Sequence, residues 1–198
     1  MRLIITFIVI FSNAAAIAGS GNNITIGFGK SVAVNNPGIS GNNIKLQVSI
    51  YRTPKTYWVG GLLGSSLQER KGSLMGTSLT YMFGEYYDIY GGVGHQFIKF
   101  SKYASISGAI SLHYQYGEER FGMKPPGWWD AYLESRPQNS IGLGGHLSFQ
   151  VPILPRLGTC FLLDYRIFSA SISPQRNYEL GLSYMFGKRN QQGKKSAK

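Results

Sequence analysis

The chain has 198 residues, with 26 glycines, 13 tyrosines, only 15% charged residues and a formal net charge of +11. Its only cysteine, Cys160, excludes a small scaffold stapled by internal disulfides. About 180 residues behind an export leader suffice for one domain with a full interior, and few charges with many glycines and aromatics suit strands that tilt, curve and meet a lipid interface.

The leader comes first. Arg2 follows Met1, Leu3 to Phe11 is apolar apart from Thr6, and Ala14-Ala15-Ala16-Ile17-Ala18-Gly19 supplies small residues. A positive start, a short apolar run and an A-x-A ending predict a signal peptide over 1–18, cleaved after Ala18. The apolar run is too short for a comfortable membrane anchor, and no later segment approaches the roughly 20 consecutive apolar residues of a membrane helix. No cysteine follows Ala18 at the cleavage point, which argues against a lipid-anchored lipoprotein.

From Gly21 to Gly187 almost every segment reads as strand, separated by turn signals. A less regular segment lies at 24–34. Ile44, Leu46, Val48 and Ile50 then alternate with Lys45, Gln47 and Ser49. Residues 56–67 are apolar on both faces, and 73–83 and 88–100 are again irregular. Ile106, Ile110, Leu112, Tyr114 and Tyr116 oppose Ser107, Ser111, His113 and Gln115. Ile141, Leu143, Leu147, Phe149 and Val151 oppose Gly142, Gly144, His146, Ser148 and Gln150. Leu157, Phe161, Leu163, Tyr165 and Ile167 oppose Cys160, Asp164 and Arg166. Tyr178, Leu180, Leu182, Tyr184 and Phe186 oppose Glu179, Gly181, Ser183 and Met185. A strand's side chains alternate with period two, so each clean segment has one apolar and one polar face. Their lengths of about nine to twelve residues match tilted membrane strands.

Breaks are predicted near 35–43, 53–56, 68–72, 84–87, 100–103, 118–139, 152–156 and 169–176, with Pro54, Pro152, Pro155 and Pro174 among them. A loop as long as 118–139 counts against a compact soluble domain but fits a membrane barrel, whose outside loops are long and periplasmic turns short. With 118–139 outside, 152–156 is periplasmic, 169–176 is outside and the last strand ends in the periplasm. The segments number nine, whereas bacterial single-chain barrels have an even count. Eight is preferred, by excluding 24–34. Ten follows if 118–139 hides a strand, and the likeness of Ser78–Gly84 to Gly181–Gly187 favours ten. The basic stretch 188–198 has nothing to bury and is expected to be a disordered tail, leaving 19–187 as the barrel.

These features resemble the small bacterial outer-membrane β-barrels, the OmpX, OmpA-barrel and opacity-protein class, at the level of pattern over residues 21–187. Tyr184-Met185-Phe186 is similar to the aromatic C-terminal signal of that class, which implies recognition of Tyr184 and Phe186 by the barrel assembly machinery. The tail after Phe186 departs from the class, which usually stops there. The resemblance implies an all-β antiparallel transmembrane barrel in the bacterial outer membrane, in contact with outer-membrane lipid and lipopolysaccharide.

With apolar faces toward lipid, the lumen receives Lys45, Gln47, His113, Gln115, His146, Ser148, Gln150, Asp164, Arg166 and Glu179. A barrel of about eight strands is filled by side chains, and buried charges must pair. A lumen network of Lys45, His113, His146, Asp164, Arg166 and Glu179 is therefore expected, and a narrow pore requires more strands. The catalytic alternative is acyl transfer by His113 or His146 with Ser148. His146-Leu147-Ser148 resembles part of the His-x-Ser-Asn pattern of lipid A deacylase barrels, but both histidines face the lumen, away from acyl chains. The sequence thus favours a protein with no catalytic residues and no cofactor. Three scattered histidines and one cysteine give no metal site.

Gly142-x-Gly144-Gly145 and Gly91-Gly92-x-Gly94 lie in strands with no helix following, so they read as close approach or bending rather than phosphate loops. An exported chain without a basic, aromatic-interleaved surface is not a nucleic-acid binder. Arg120, Lys124 or Arg136 are candidates for lipopolysaccharide, and the tail lysines for periplasmic anionic polymers. Trp128 and Trp129 are candidate contact residues for a host or surface ligand at the tip of 118–139. The favoured role is structural, adhesive or surface-interacting, acting through that loop.

Overall fold

The computed structural model describes residues 22–35, 38–72, 79–100, 104–124, 131–169 and 174–186. The expected signal peptide, the tail 188–198 and Trp128 and Trp129 lie outside them. Eight strands form a closed antiparallel barrel in sequence order: β1 (Asn22–Ala33), β2 (Ser40–Tyr51), β3 (Thr56–Gly72), β4 (Leu79–Phe100), β5 (Ala104–Lys124), β6 (Ala131–Pro152), β7 (Leu157–Phe168) and β8 (Gln175–Phe186). The seam joins β1 to β8, from Asn22 opposite Phe186 to Ala33 opposite Gln175.

The polar faces turn inward and the apolar faces outward. Ile26, Phe28, Ile44, Ile110, Leu112, Leu143, Leu180 and Leu182 are all exposed on the outside, while Lys45, Asp88, His113, Gln115, Asp164, Arg166 and Glu179 are buried within. This is the inverse of a soluble barrel and defines a transmembrane one, whose closed sheet satisfies its own backbone in hydrocarbon. Tyrosines mark one end of the apolar belt, where Tyr87 of β4 and Tyr116 of β5 are direct partners and stack with centroids 5.3 Å apart.

The expected count of eight stands, but two strand assignments behind it are corrected. Residues 24–34 are not excluded: they lie in β1 and close the barrel. The count is even because 73–83 and 88–100 are not two strands. The supposed break at 84–87 is continuous β4, paired to β3 and β5 throughout. Gly84-Glu85-Tyr86-Tyr87 resembles a turn by composition, yet Tyr86 and Asp88 face the lumen with the regular period of two. Among the described residues of 118–139 there is no tenth strand either. Most of that segment belongs to β5 and β6, which remain paired as far as Met123 opposite Ala131. The likeness between Ser78–Gly84 and Gly181–Gly187 has no counterpart in the fold, since one opens β4 and the other closes β8.

Strand lengths are unequal. β1, β2, β7 and β8 have 12 residues each, whereas β3 has 17, β4 22, β5 21 and β6 22. The surplus lies at the end opposite the turns 52–55 and 153–156. There β3 to β6 continue as a four-stranded sheet, and β2 last pairs with β3 at Gln68 and β7 with β6 at Gly142. Pro137 sits inside β6 in this extension, where the strand no longer has β7 beside it, so a missing donor on an edge is tolerated.

Candidate functional site

The lumen is filled in three levels. Ala33, Ile39, Leu67 and Tyr86 form a buried cluster toward the extended end. Tyr57, Val59 and Tyr90 pack together toward the short-turn end, with Tyr51 and Ala109 against them. Charged and polar groups from β1, β2, β4, β5, β6, β7 and β8 meet between these clusters.

Cross-strand register creates the contacts in this middle level. His146 of β6 stands directly opposite Asp164 of β7, and their Nδ1 and Oδ1 atoms are 2.7 Å apart. Lys45 of β2 reaches the other Asp164 oxygen at 2.5 Å and Glu179 Oε2 at 3.8 Å. Glu179 belongs to β8, two strands from Lys45, and the intervening residue of β1 opposite Lys45 is Gly27. With no side chain at Gly27, the ammonium and the carboxylate meet across that strand. Tyr90 of β4 is opposite His113 of β5 and stacks on it at 5.0 Å, and on His146 at 5.2 Å. Arg166 pairs with Asp88 and donates to Gln175 Oε1 at 2.9 Å and Asn177 Oδ1 at 3.0 Å. Asn177 Oδ1 also accepts from Ser31, which in turn accepts from Asn43.

Ser111 links the two histidines. Its Oγ lies 2.8 Å from His113 Nε2 and hydrogen-bonds His146 Nε2. A consistent assignment has His113 Nε2–H donating to Ser111, the hydroxyl donating to His146 Nε2, and His146 Nδ1–H donating to Asp164. Gly144 makes room for this junction. A Cβ there would collide with His113 Nε2 and come within 3.0 Å of Ser111 Oγ. Gly94 likewise faces the Tyr57 ring, and Gly92 the Ile110 carbonyl, whereas a Cβ at Gly91 or Gly145 would meet nothing within 4 Å. A Cβ at Gly142 would also meet the Ile167 carbonyl and the Phe168 ring, so close approach explains four of the six glycines in these two runs.

The order Ser111–His146–Asp164 has the connectivity of a hydrolase triad. Connectivity alone is insufficient, because a nucleophile also needs space beside it for a reacting carbonyl. Ser111 is 3% exposed, with its oxygen held by two imidazoles and Gly144 packed against it. One space in the lumen lies nearer the short turns. It is a cavity of about 10 Å³, lined by Thr25, Gln47, Ser107, Ser148 and Gln150 among others, and is suited to one water. Ser148 borders that cavity and bonds Ser107 at 2.6 Å, away from the imidazoles. Among the described residues no group of His, Cys, Asp and Glu is placed to hold a metal ion.

All six expected network residues thus occupy the lumen, and each makes a hydrogen bond, ion pair or ring contact within it. Asp88, Tyr90 and Ser111 are additional members. Their signal in the sequence is the period-two series Tyr86-x-Asp88-x-Tyr90 and Ser111-x-His113. Tyr184 points outward and is exposed, and Phe186 closes β8 opposite Asn22.

A second polar group lies on the extended sheet. Glu118 takes a hydrogen bond from Arg120 at 2.8 Å and another from Ser135 of β6, and these hold its carboxyl below the ordinary carboxylate value. On the inner face Glu119 accepts from Tyr86 at 2.6 Å and from Gln138 at 3.0 Å.

The fold is that of the small eight-stranded outer-membrane β-barrels. No protein-family model and no curated protein sequence matches the chain. Among solved structures, it is similar to Neisserial surface protein A (NspA), with TM-score 0.55 and 13% identity over 85% of this chain and 98% of that one. It is also similar to the N-terminal β-barrel domain of Pseudomonas aeruginosa OprF, with TM-score 0.51 and 11% identity over 85% and 98%. A third is Ail, the attachment invasion locus protein of Yersinia pestis, solved in complex with the heparin analogue sucrose octasulfate, with TM-score 0.50 and 17% identity over 85% and 99%. These identities support the architecture alone.

Proposed function

We propose that the protein is an outer-membrane surface barrel that makes contact through the sheet formed by the extensions of β3 to β6. The extension itself carries this reading. Residues 79–86 of β4 lie beyond the tyrosine level, and at about 3.3 Å per residue they rise roughly 26 Å along the strand. The rule that outside connections are long and periplasmic turns short sets this end outward. Tyr184 and Phe186 then fall at the periplasmic end, as an assembly signal on the last strand requires. The filled lumen argues for a scaffold rather than a pore, and the enclosed Ser111 argues against lipid A hydrolysis.

The chemistry of the partner follows from the charges. Arg70, Lys71, Arg120, Lys124 and Arg136 share the extension segments with Glu69, Glu85, Glu118, Glu119 and Glu134. Both signs interspersed suit a polypeptide surface better than a polyanion. The test shortens β3–β4 and β5–β6 to the tyrosine level and measures binding of cells bearing the shortened barrel to host-cell monolayers, with heparin as a polyanion competitor. Heat-modifiable gel migration should persist, binding should be lost, and heparin should not compete. Binding that survives the shortening overturns the proposal.

A further inference from the structure

The acidic residues are confined to the lumen and one end of the barrel, whereas basic residues occur at both ends. Of the chain's nine acids, Asp88, Asp164 and Glu179 are in the lumen, and Glu69, Glu85, Glu118, Glu119, Asp130 and Glu134 fall in the extended strands or the 125–130 segment joining two of them. The opposite rim has none. It carries Arg52 and Lys55 in the β2–β3 turn, Lys99 at the end of β4 and Arg156 in the β6–β7 turn, all exposed.

The backbone fixes these cations around the rim. Gln96 N–H donates to the Lys55 carbonyl at 2.7 Å, tying the first turn to the end of β4. Met185 N–H donates to the Arg156 carbonyl at 2.7 Å, tying the last turn to the end of β8. Among the described residues there is no carboxylate at this rim to neutralise them.

Each cation also has exposed apolar neighbours. Lys99 lies between Phe97, Ile98 and Phe100, Arg156 follows Ile153 and Leu154, and Trp58 follows Lys55 by three positions; all six apolar residues are at least 46% exposed. A soluble polyanion would engage the charges and leave these side chains in water. A bilayer interface takes both, with the apolar groups in the acyl boundary and the cations among phosphates.

We infer that this rim is a binding surface for anionic phospholipid headgroups of the periplasmic leaflet. The inference rests on the orientation adopted under Proposed function. Each Lys or Arg beside an anionic surface strengthens association about fivefold, and salt screens the effect.

The test reconstitutes the mature chain in phosphatidylcholine vesicles and measures the selectivity of spin-labelled phosphatidylglycerol over spin-labelled phosphatidylethanolamine for the barrel surface. Selectivity of several-fold is expected. It should fall in high salt, disappear in R52Q/K55Q/K99Q/R156Q, and persist both in K30Q/R176Q at the other end and in a chain ending at Gly187. Should the quadruple variant fail to insert, the four single variants take its place, each lowering selectivity measurably. Equal association of the two lipids, or selectivity unchanged by the rim substitutions, overturns the inference. Displacement of phosphatidylglycerol by soluble peptidoglycan fragments overturns the lipid assignment. Heat-modifiable migration is scored on the same samples, so loss of the barrel is distinguished from loss of lipid selectivity. Reversed orientation, read by protease access to the 52–55 turn on intact cells, would sink the underlying reading instead.

Discussion

Lys45→Met removes the cation that the middle of the lumen is built around while keeping the length of its apolar stem. The ammonium is 2.5 Å from Asp164 and 3.8 Å from Glu179, and all three residues are about 1% exposed. Asp164 would keep His146, but the buried Glu179 would lose the cation it pairs with. Breaking a buried ion pair from one side costs about 3–5 kcal/mol, mostly as the penalty of the stranded charge. The same logic gives a control. In Lys45→Met/Glu179→Gln the stranded carboxylate is gone, so the double variant should recover about 1–3 kcal/mol relative to the single one. Urea unfolding in lipid vesicles, followed by tryptophan fluorescence, measures both. A single variant within about 1 kcal/mol of the native protein, the range of an exposed pair, would refute the reasoning. So would additive losses in the double variant.

Gly144→Ala should destabilise the barrel by about 1–3 kcal/mol, because its methyl collides with His113 and crowds Ser111; unchanged histidine NMR signals would contradict the packing. Ser111→Ala should cost about 1–3 kcal/mol in the same unfolding assay by leaving imidazole nitrogens without a partner, and a neutral effect would show that the hydroxyl does not join them. Lipid A from cells with and without the protein should have the same acyl pattern by mass spectrometry, and loss of a chain would reinstate Ser111–His146–Asp164 as a working triad. Glu118 should titrate below an ordinary glutamate by NMR, and Arg120→Ala should raise that midpoint. Since the folded carboxyl is the more acidic, its interaction is fully present above the unfolded midpoint and lost as pH falls through the lowered one; a midpoint unmoved by Arg120→Ala would remove the arginine as the cause.

The barrel was legible because period-two alternation survives wherever one face meets lipid and the other a packed lumen. Residues 178–186 show it without a break, and 105–116, 141–151 and 157–167 show it apart from Gly108, Gly145, Thr159 and Leu162; all four segments lie within strands of the barrel. The reading weakened where that contrast weakens. Beyond the tyrosine level both faces of a strand can be polar, so Glu118-Glu119-Arg120 and Glu134-Ser135-Arg136 resembled a loop while pairing as strands. Residues 56–67 read as apolar on both faces because β3 buries Tyr57, Val59 and Leu63 inside, the first two against Tyr90. Within the lumen, alternation indicated which residues point inward but not which ones meet. Lys45 and Glu179 lie 134 positions apart in a chain of 198 residues, and their approach depends on closure through β1 and on Gly27 between them. The Ser111 junction depends similarly on the missing side chain at Gly144, which a single sequence shows only as another glycine.

The central claim is an apolar exterior facing lipid with a sheet standing clear of it. Spin labels at Leu180→Cys and Ser135→Cys, in a Cys160→Ser background reconstituted in vesicles, test it most directly. Leu180 is 71% exposed on the belt and Ser135 lies on the extension. Power-saturation EPR should find the label at 180 relaxed mainly by oxygen, which partitions into hydrocarbon, and the label at 135 mainly by a water-soluble nickel chelate. A label at 180 relaxed by the chelate, or one at 135 buried in the oxygen-rich zone, would contradict the account.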